Sequence, residues 1–247
     1  MVEVKSVKRY YRMGDEKIKA VDDVSFTVYE GEFCCLTGTS GSGKSTILNV
    51  LAGIEKVSSG DILLKGQNIV KMNESKLAKF RQSSLGFVFQ SYNLIGTLTA
   101  VENVEMPLTF KRVRRKIRRK AAIEMLDKVG LGKRMEHKPS EMSGGQQQRV
   151  GIARAFVAKP RIIFADEPTG NLDSRTTVEV MELITKMARE NKQTIVMVTH
   201  DPTLTKYADR VITISDGKII NEYENKEPFG VENAAETEER NKNEETN

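Results

Sequence analysis

The chain has 247 residues, of which 38% are hydrophobic and 30% charged, so it can bury the core of one domain with a small subdomain. No apolar run approaches the ~20 residues that span a bilayer, and we recognise no signal peptide at the start of the sequence. Any role at a membrane would therefore need spanning helices from other chains.

The net charge of +5 is distributed unevenly. Residues 229–247 carry six Glu against one Arg and one Lys, a net charge of −4 that leaves +9 on the rest. Residues 111–120 hold eight basic side chains in ten positions, which suits nucleic acid, anionic lipid headgroups, an acidic partner or simply a solvated helix face. We expect residues 226–247 to form a disordered acidic tail, because they are polar and Glu-rich.

At the start of the chain, residues 2–28 read as two strands joined by a polar turn at Met13–Asp15. Tyr10 and Tyr11 lie just before that turn. An aromatic ring there can stack on a nucleobase or cover the edge of the sheet, and residue type alone favours the second.

A short apolar strand, residues 32–37, contains Cys34 and Cys35. Neighbouring residues of a strand point to opposite faces, so these two thiols are not placed for an ordinary disulfide. They read as small core residues of a protein in a reducing compartment.

A glycine-rich loop follows this strand and leads into an apolar helix. Its pattern of Gly, four residues and then Gly-Lys-Ser is a phosphate-binding loop, in which backbone N–H groups and the helix dipole hold an anion. Lys44 would reach the β- and γ-phosphates, and the hydroxyl of Ser45 would ligate Mg²⁺. The loop consists of Gly38, Thr39, Ser40, Gly41, Ser42, Gly43, Lys44, Ser45 and Thr46.

Residues 85–90 form the next apolar strand, which ends in Gln90. Gln90 can reach into a crevice of an open α/β sheet or serve as a surface cap. The residues from 98 to 130 should be mainly helical and broken by Pro107. We interpret residues 91–158 as a helical subdomain inserted into the α/β body.

Ser143 is a suitable N-cap for the helix that follows, and Gln146 completes a capping box. Gly144 and Gly145 leave backbone N–H groups uncovered. The chain therefore contains a second helix N-terminus that suits an anion.

Two further buried strands end in polar groups. Residues 161–168 close with Asp166, placed to bind Mg²⁺ through water, and Glu167, which can take a proton from water. Residues 194–200 close with His200, and residues 209–223 read as a hairpin turning at Asp216-Gly217. If the strands that end at Gln90, Asp166 and His200 are parallel, their ends build one site at the carboxyl edge of the sheet.

Taken together, these motifs resemble the nucleotide-binding subunit of an ATP-binding-cassette (ABC) transporter over residues 2–223. The resemblance implies an α/β fold: a P-loop NTPase core with a parallel sheet, an N-terminal antiparallel β subdomain and the inserted α-helical subdomain, all within residues 1–225. It implies that Tyr11 stacks on adenine, that Gln90 senses Mg²⁺ and faces the membrane partner, and that Asp166 lies on the metal side. It further implies that Glu167 is the catalytic base, that Asp173 is the D-loop acid and that His200 contacts the γ-phosphate. Met142–Gln146 is then the family's signature segment.

The resemblance also implies partners and a location. ATP and Mg²⁺ are the expected cofactors, held between two copies that dimerise head to tail. The expected membrane partner is a permease on separate chains, which places the protein at the cytoplasmic face of the membrane; no nucleic-acid partner is expected. Residues 164–173, 89–94 and 98–104 resemble the macrolide-exporter and lipoprotein-releasing branch, whose members move peptides, lipoproteins or drugs.

Three other readings of the sequence remain open. The ATPase could serve a peptide-sensing or force-transmitting membrane complex that moves no cargo. It could act on nucleic acid or ribosomes, for which the basic run is the only support. A small-molecule kinase could use the same loop, but it would leave residues 142–146 and His200 without a role.

Overall fold

The structure, a computed structural model, describes residues 1–14 and 16–230. Its strands form two sheets. The first is antiparallel, with the order β2-β1-β4-β5, and consists of β1 (Val2–Met13), β2 (Glu16–Val28), β4 (Ser59–Leu64) and β5 (Gln67–Asn68). This confirms the expected N-terminal antiparallel unit.

The second sheet has six strands in the order β10-β9-β3-β8-β7-β6. Its strands are β3 (Phe33–Thr37), β6 (Leu85–Phe89), β7 (Ile162–Asp166), β8 (Thr194–Thr199), β9 (Arg210–Ser215) and β10 (Lys218–Glu224). All neighbours pair in parallel except β9 and β10, which form the closing hairpin. The carboxyl ends of β3, β6, β7 and β8 therefore lie at one edge, as predicted.

Six α-helices surround the sheets. They are α1 (Lys44–Leu51), α2 (Glu74–Ser84), α3 (Ala100–Phe110), α4 (Arg115–Lys128), α5 (Gly144–Val157) and α6 (Ser174–Glu190). The three helices α3, α4 and α5 pack on one another, and they lie between β6 and β7 in the chain. They correspond to the inserted helical unit. No helix in the described ranges combines the length and the apolar character needed to cross a bilayer.

The two cysteines of β3 identify the two sides of the main sheet. Cys34 packs in a core with residues of the antiparallel sheet and α1, whereas Cys35 packs in a separate core with residues of α5 and α6. Both thiols are free and fully buried. The prediction that they point to opposite faces is confirmed.

The prediction that Pro107 breaks the helix was wrong. Helix α3 continues through Pro107 to Phe110, and the chain leaves the helix only around Arg112, whose φ is 57°. Because Val101, Val104 and Leu108 are buried along one face of α3, their packing outweighs the hydrogen bond that a proline cannot donate.

The structure describes the first five residues of the expected acidic tail, residues 226–230. The N–H of Phe229 donates to the carbonyl of Lys206 at 3.0 Å, and its ring meets the ring of Tyr207 edge-on at 5.2 Å. Residues 226–230 are therefore placed against the body of the domain through this aromatic contact. The rest of the expected tail, residues 231–247, lies outside the described residues.

Candidate functional site

The glycine-rich loop joins β3 to α1 and passes very close to neighbouring backbone. A Cβ at Gly43, whose φ is 98°, would lie 2.1 Å from the carbonyl oxygen of Ala20. A Cβ at Gly38 would lie 2.1 Å from the carbonyl oxygen of Ile214. Only glycine allows this approach, which leaves the loop wrapped around the N-terminus of α1, where an anion is stabilised.

Lys44, the first residue of α1, points its ammonium group back into the loop. Its Nζ donates to the carbonyl oxygens of Gly38 at 2.9 Å and Thr39 at 2.7 Å. Burial lowers the pKa of Lys44, an effect opposed by the nearby carboxylates of Glu167 and Asp166. The loop therefore holds a nearly buried cation, 5% exposed, that a phosphate can approach.

The loop opens into a cavity of about 910 Å³. Its wall includes Ser40, Gly41, Gly43, Lys44, Ser45, Thr46 and Glu167 from the predicted site. It also includes residues that the sequence analysis did not assign to the site: Lys17, Ile18, Lys19, Ala20, Asp22, Ser215, Asp216, Gly217, Lys218 and Ile220. The β9–β10 hairpin meets the loop through Gly217, whose N–H donates to Ser42 O at 3.0 Å. Its Asp-Gly turn was visible in the sequence, but its place beside the loop was not.

Two of the three residues expected at the Mg²⁺ site, Ser45 and Asp166, are in contact. The hydroxyl of Ser45 donates to Oδ1 of Asp166 at 3.0 Å. Burial raises the pKa of Asp166, and the hydrogen bond from Ser45 partly offsets that rise. A hydroxyl and a carboxylate oxygen are ligands that Mg²⁺ accepts when phosphate and water complete its coordination, so this pair fits the ion. The described residues contain no cluster of three or more His, Cys, Asp or Glu that could hold a metal alone.

Gln90 follows β6 at the same sheet edge, but its side chain is directed elsewhere. Its amide lies against Gly170, where a Cβ would be 2.7 Å from Nε2. The backbone carbonyl oxygen of Gln90 accepts a hydrogen bond from Asn171 Nδ2 at 3.1 Å. Gln90 therefore packs on the turn after β7 instead of on the Ser45–Asp166 pair.

Glu167 and His200 meet where β7 and β8 end. Nδ1 of His200 lies 3.0 Å from Oε1 of Glu167. The backbone of Glu167 has a φ of 42°, and its N–H donates to Val198 O at 3.0 Å, which ties the acid to the neighbouring strand. Left-handed backbone at a non-glycine residue is uncommon and is found at functional sites held by their surroundings. Here it directs Glu167 into the wall of the cavity.

The signature segment forms the predicted capping box at the start of α5. Ser143 Oγ accepts from Gln146 N at 3.3 Å, and Gln146 Oε1 accepts from Ser143 N at 3.1 Å. Cβ atoms at Gly144 and Gly145 would lie 2.7 Å from the side chains of Tyr92 and Thr176, respectively. None of these four signature residues lines the 910 Å³ cavity, so the second anion-suited helix end is separate from the first.

Two predicted binding residues, Asp173 and Tyr11, are not brought to the cavity. Asp173 caps α6, and its carboxylate accepts from the N–H and hydroxyl of Thr176 at 2.9 and 2.7 Å. These hydrogen bonds lower the pKa of Asp173. The hydroxyl of Tyr11 donates to Glu55, and the Arg9 guanidinium lies 4.4 Å from the centre of its ring. These contacts hold the Tyr11 ring outside the cavity. Ile18, which pairs with Tyr11 across β1 and β2, does line the cavity.

A parallel sheet with a glycine loop, a lysine and a Ser–Asp pair at its carboxyl edge defines a P-loop nucleotide-binding protein. Residues 21–170 match the family described as ABC transporter. The chain belongs to this family, as an ATP-binding cassette that hydrolyses ATP to power transport.

Relatives match along nearly the whole described chain. It is 47% identical over 220 residues to an uncharacterized ABC transporter ATP-binding protein, MJ1508, of Methanocaldococcus jannaschii, covering 89% of this chain and 98% of the relative. It is 44% identical to the ABC transporter ATP-binding protein YxdL of Bacillus subtilis, covering 93% and 90%. A macrolide export ATP-binding/permease protein, MacB, of Hyphomonas neptunium is 43% identical over 92% of this chain, but only 35% of that longer protein is covered.

Among solved structures, the chain is similar to a dimeric post-hydrolysis state of the ATP-binding cassette MJ0796 bound to ADP and Pi. The TM-score is 0.85 at 42% identity, with 91% of this chain and 98% of the other covered. This likeness confirms the predicted cassette fold.

Proposed function

We propose that two copies of this chain close head to tail around two molecules of ATP with Mg²⁺ and drive a permease on separate chains. The observation that carries the proposal is the separation of two anion-suited helix ends. The loop before α1 opens into the cavity with Lys44, Ser45 and Glu167, whereas the capped end of α5 lies outside it. A second copy, turned head to tail, would bring its α5 end onto the nucleotide; the similar cassette MJ0796 is dimeric and bound to ADP and Pi, which supports self-association.

Each residue of the site has a role in hydrolysis. Lys44 would exchange the carbonyls of Gly38 and Thr39 for phosphate oxygens. Ser45 and Asp166 would hold Mg²⁺, which supplies positive charge against the phosphates when bound. Glu167 would accept a proton from the attacking water, and His200 would keep the carboxylate in position.

The remaining expected contacts belong to the closed, nucleotide-bound state. Gln90 would reach Mg²⁺ by leaving Gly170, and Tyr11 would stack on adenine by leaving Glu55. Asp173, exposed at the cap of α6, and residues Ser143–Gln146 would act on the nucleotide of the partner copy. Positioning and electrostatics then supply the catalysis, so closure precedes turnover.

An apolar groove offers a site for the permease. It measures about 680 Å³, lies between α2 and α3, and its lining includes Ile54, Leu85, Phe87, Met106 and Phe110. Ile54 and Phe110 are 53% and 62% exposed, and with the other apolar residues of the lining they form a contiguous apolar surface of the kind that marks interaction sites. We infer that a short cytoplasmic helix of the permease lies in this groove. Because the groove contacts both the α/β core and the helical unit, a movement of these units when the dimer closes could be transmitted to the permease.

We further propose a place at the cytoplasmic face of the membrane and the export of peptides, lipoproteins or drugs. The branch-like segments around Gln90 and Glu167 and the likeness to a macrolide export protein support this class of cargo.

The decisive experiment measures the mass of Glu167→Gln by light scattering with ATP and Mg²⁺. We expect ATP to be bound but not hydrolysed, and a dimer to accumulate. Adding Lys44→Ala to this variant should abolish the dimer. A strictly monomeric Glu167→Gln at high protein concentration would contradict the proposal, as would near-normal hydrolysis.

A further inference from the structure

The basic run of residues 111–120 divides into two groups by the partners of its side chains. Lys111 donates to two backbone carbonyls at 3.0 and 3.3 Å. Arg118 and Arg119 each bond to the buried carboxylate of Glu105 at 3.2 Å. Nζ of Lys120 lies 3.8 Å from the carboxylate of Glu124, one turn later on α4. Lys111, Arg118 and Arg119 therefore join separate segments of the fold, whereas Lys120 pairs within α4.

The other four cations face solvent at the end of α3 and the start of α4. They are Arg112, Arg114, Arg115 and Lys116. Within residues 1–14 and 16–230, none of these four side chains forms an ion pair or a hydrogen bond. Four positive charges in five positions repel one another, and an anionic surface would relieve that repulsion.

The carboxylates nearest to this group are already engaged. Glu102 and Glu136 share a small cavity with Arg115 and Lys116. However, Glu102 accepts from the backbone N–H of Thr99, a bond that lowers its pKa, and Glu136 pairs with the guanidinium of Arg119 at 2.5 Å. Glu102 keeps its negative charge, because the N–H of Thr99 is neutral, and it can offset one of the four positive charges. The remaining positive charge of the group is available to a partner outside the chain.

Two large apolar side chains flank the cations. Phe110 and Ile117 are 62% and 58% exposed. Phe110 also lines the apolar groove that we assign to the permease, so the cations and the groove form one continuous surface. If a cytoplasmic helix of the permease lies in the groove, residues 110–117 face the bilayer in which that permease is embedded.

We propose that residues 110–117, the 110–117 patch, contact anionic lipid headgroups beside the permease. The proposal rests on the proposed function, because the permease sets the orientation of the groove. Free cations interleaved with exposed apolar side chains match an anionic interface, where the charges meet headgroups and the apolar groups enter the boundary with the acyl chains. Binding of nucleic acid would use the cations, but it would not explain why the aliphatic side chain of Ile117 is exposed.

The test is flotation of the full chain with vesicles of phosphatidylcholine, either alone or mixed with phosphatidylglycerol. We expect binding to the anionic vesicles only, and binding that weakens as salt is added. Each basic side chain near such a surface strengthens binding about fivefold, so changing Arg112, Arg114, Arg115 and Lys116 to Gln should weaken it by more than tenfold. Ile117→Asn should weaken it less.

A matched control removes the same amount of charge elsewhere. Lys65, Lys71, Lys186 and Lys192 are exposed, and changing all four to Gln should leave vesicle binding within about threefold of the unchanged protein. Equal losses in the two quadruple variants would overturn the proposal, because net charge would then explain the binding. Equal binding to neutral vesicles would also overturn it, as would salt-dependent binding of RNA without binding of vesicles.

The experiment separates this inference from the proposed function. ATP hydrolysis in solution should be the same in both quadruple variants and in the unchanged chain, because none of the altered residues lines the nucleotide cavity. If the unchanged chain ignores anionic vesicles while Glu167→Gln still forms the ATP-dependent dimer, the lipid contact alone is wrong. If vesicles bind as expected but the ATP-dependent dimer does not form, the proposed function fails and the patch must serve another membrane role.

Discussion

Gln148 on α5 donates its side-chain N–H to the carbonyl oxygen of Pro168, the residue directly after Glu167. Gln148 is fully buried, and its Oε1 has no hydrogen-bond partner among residues 1–14 and 16–230. The helix that begins with the signature segment is thus tied to the loop that carries the candidate base. This hydrogen bond connects α5 directly to the loop that carries Glu167.

Gln148→Leu should slow turnover without weakening ATP binding. Loss of a buried hydrogen bond that orients the Glu167 loop corresponds to about 1–2 kcal/mol, so we expect kcat to fall about 5- to 30-fold while KM for ATP stays within a factor of two. Gln147→Leu is the control, since the side chain of Gln147 donates to the carbonyl of Met142 and not to the Glu167 loop. Similar losses in both variants would remove Gln148 from this positioning role.

Asp166→Asn should raise the melting temperature of the nucleotide-free protein but reduce the stabilisation that ATP and Mg²⁺ provide. Because burial raises the pKa of Asp166, the fold disfavours its ionised form. The neutral amide should therefore raise the melting temperature of the nucleotide-free protein, while the amide oxygen can still accept from Ser45. With ATP and Mg²⁺ the variant should gain less stability than the unchanged protein. Scanning calorimetry measures both, and a lower melting temperature without nucleotide would contradict the prediction.

Lys44→Ala should abolish tight ATP binding. A charged hydrogen bond to phosphate contributes about 3 kcal/mol, which corresponds to a loss of affinity of about 100-fold. Isothermal titration calorimetry gives the affinity, and Lys186→Ala, which changes an exposed lysine on α6, is the control. Because Lys44 also bonds to two loop carbonyls, a thermal melt should verify that the variant is folded. Unchanged affinity would place the phosphates elsewhere.

Neither cysteine should react with a thiol reagent in the folded protein at pH 8. Burial raises the pKa of Cys35 to about 12 and that of Cys34 well above its usual value, so the reactive thiolate is scarce as well as inaccessible. Ellman's reagent should titrate no thiol in the native chain and both thiols in guanidinium chloride. Rapid reaction of either in the native state would mean that β3 is not a central strand.

The sequence by itself determined the parts of the site that consist of consecutive residues. The loop from Gly38 to Thr46, the capping box from Ser143 to Gln146 and the acids that end β7 are all where the sequence predicted them. Each depends on local rules: glycine where backbone approaches backbone, a serine before a helix, and polar groups after a buried strand. Such rules act over a few residues and need no knowledge of the remaining fold.

Only the tertiary structure decided which distant residues meet. Ser45 contacts Asp166 across 121 residues because β8 lies between β3 and β7, which brings the ends of these strands to one edge. The same packing keeps Pro107 inside a continuous helix and directs Tyr11 toward Glu55. It also engages half of the basic run with Glu105, Glu124 and backbone carbonyls and leaves the other four cations without a partner within the described residues. Strand order and helix packing arise from summed contacts across the whole chain, which a local pattern of residues does not encode.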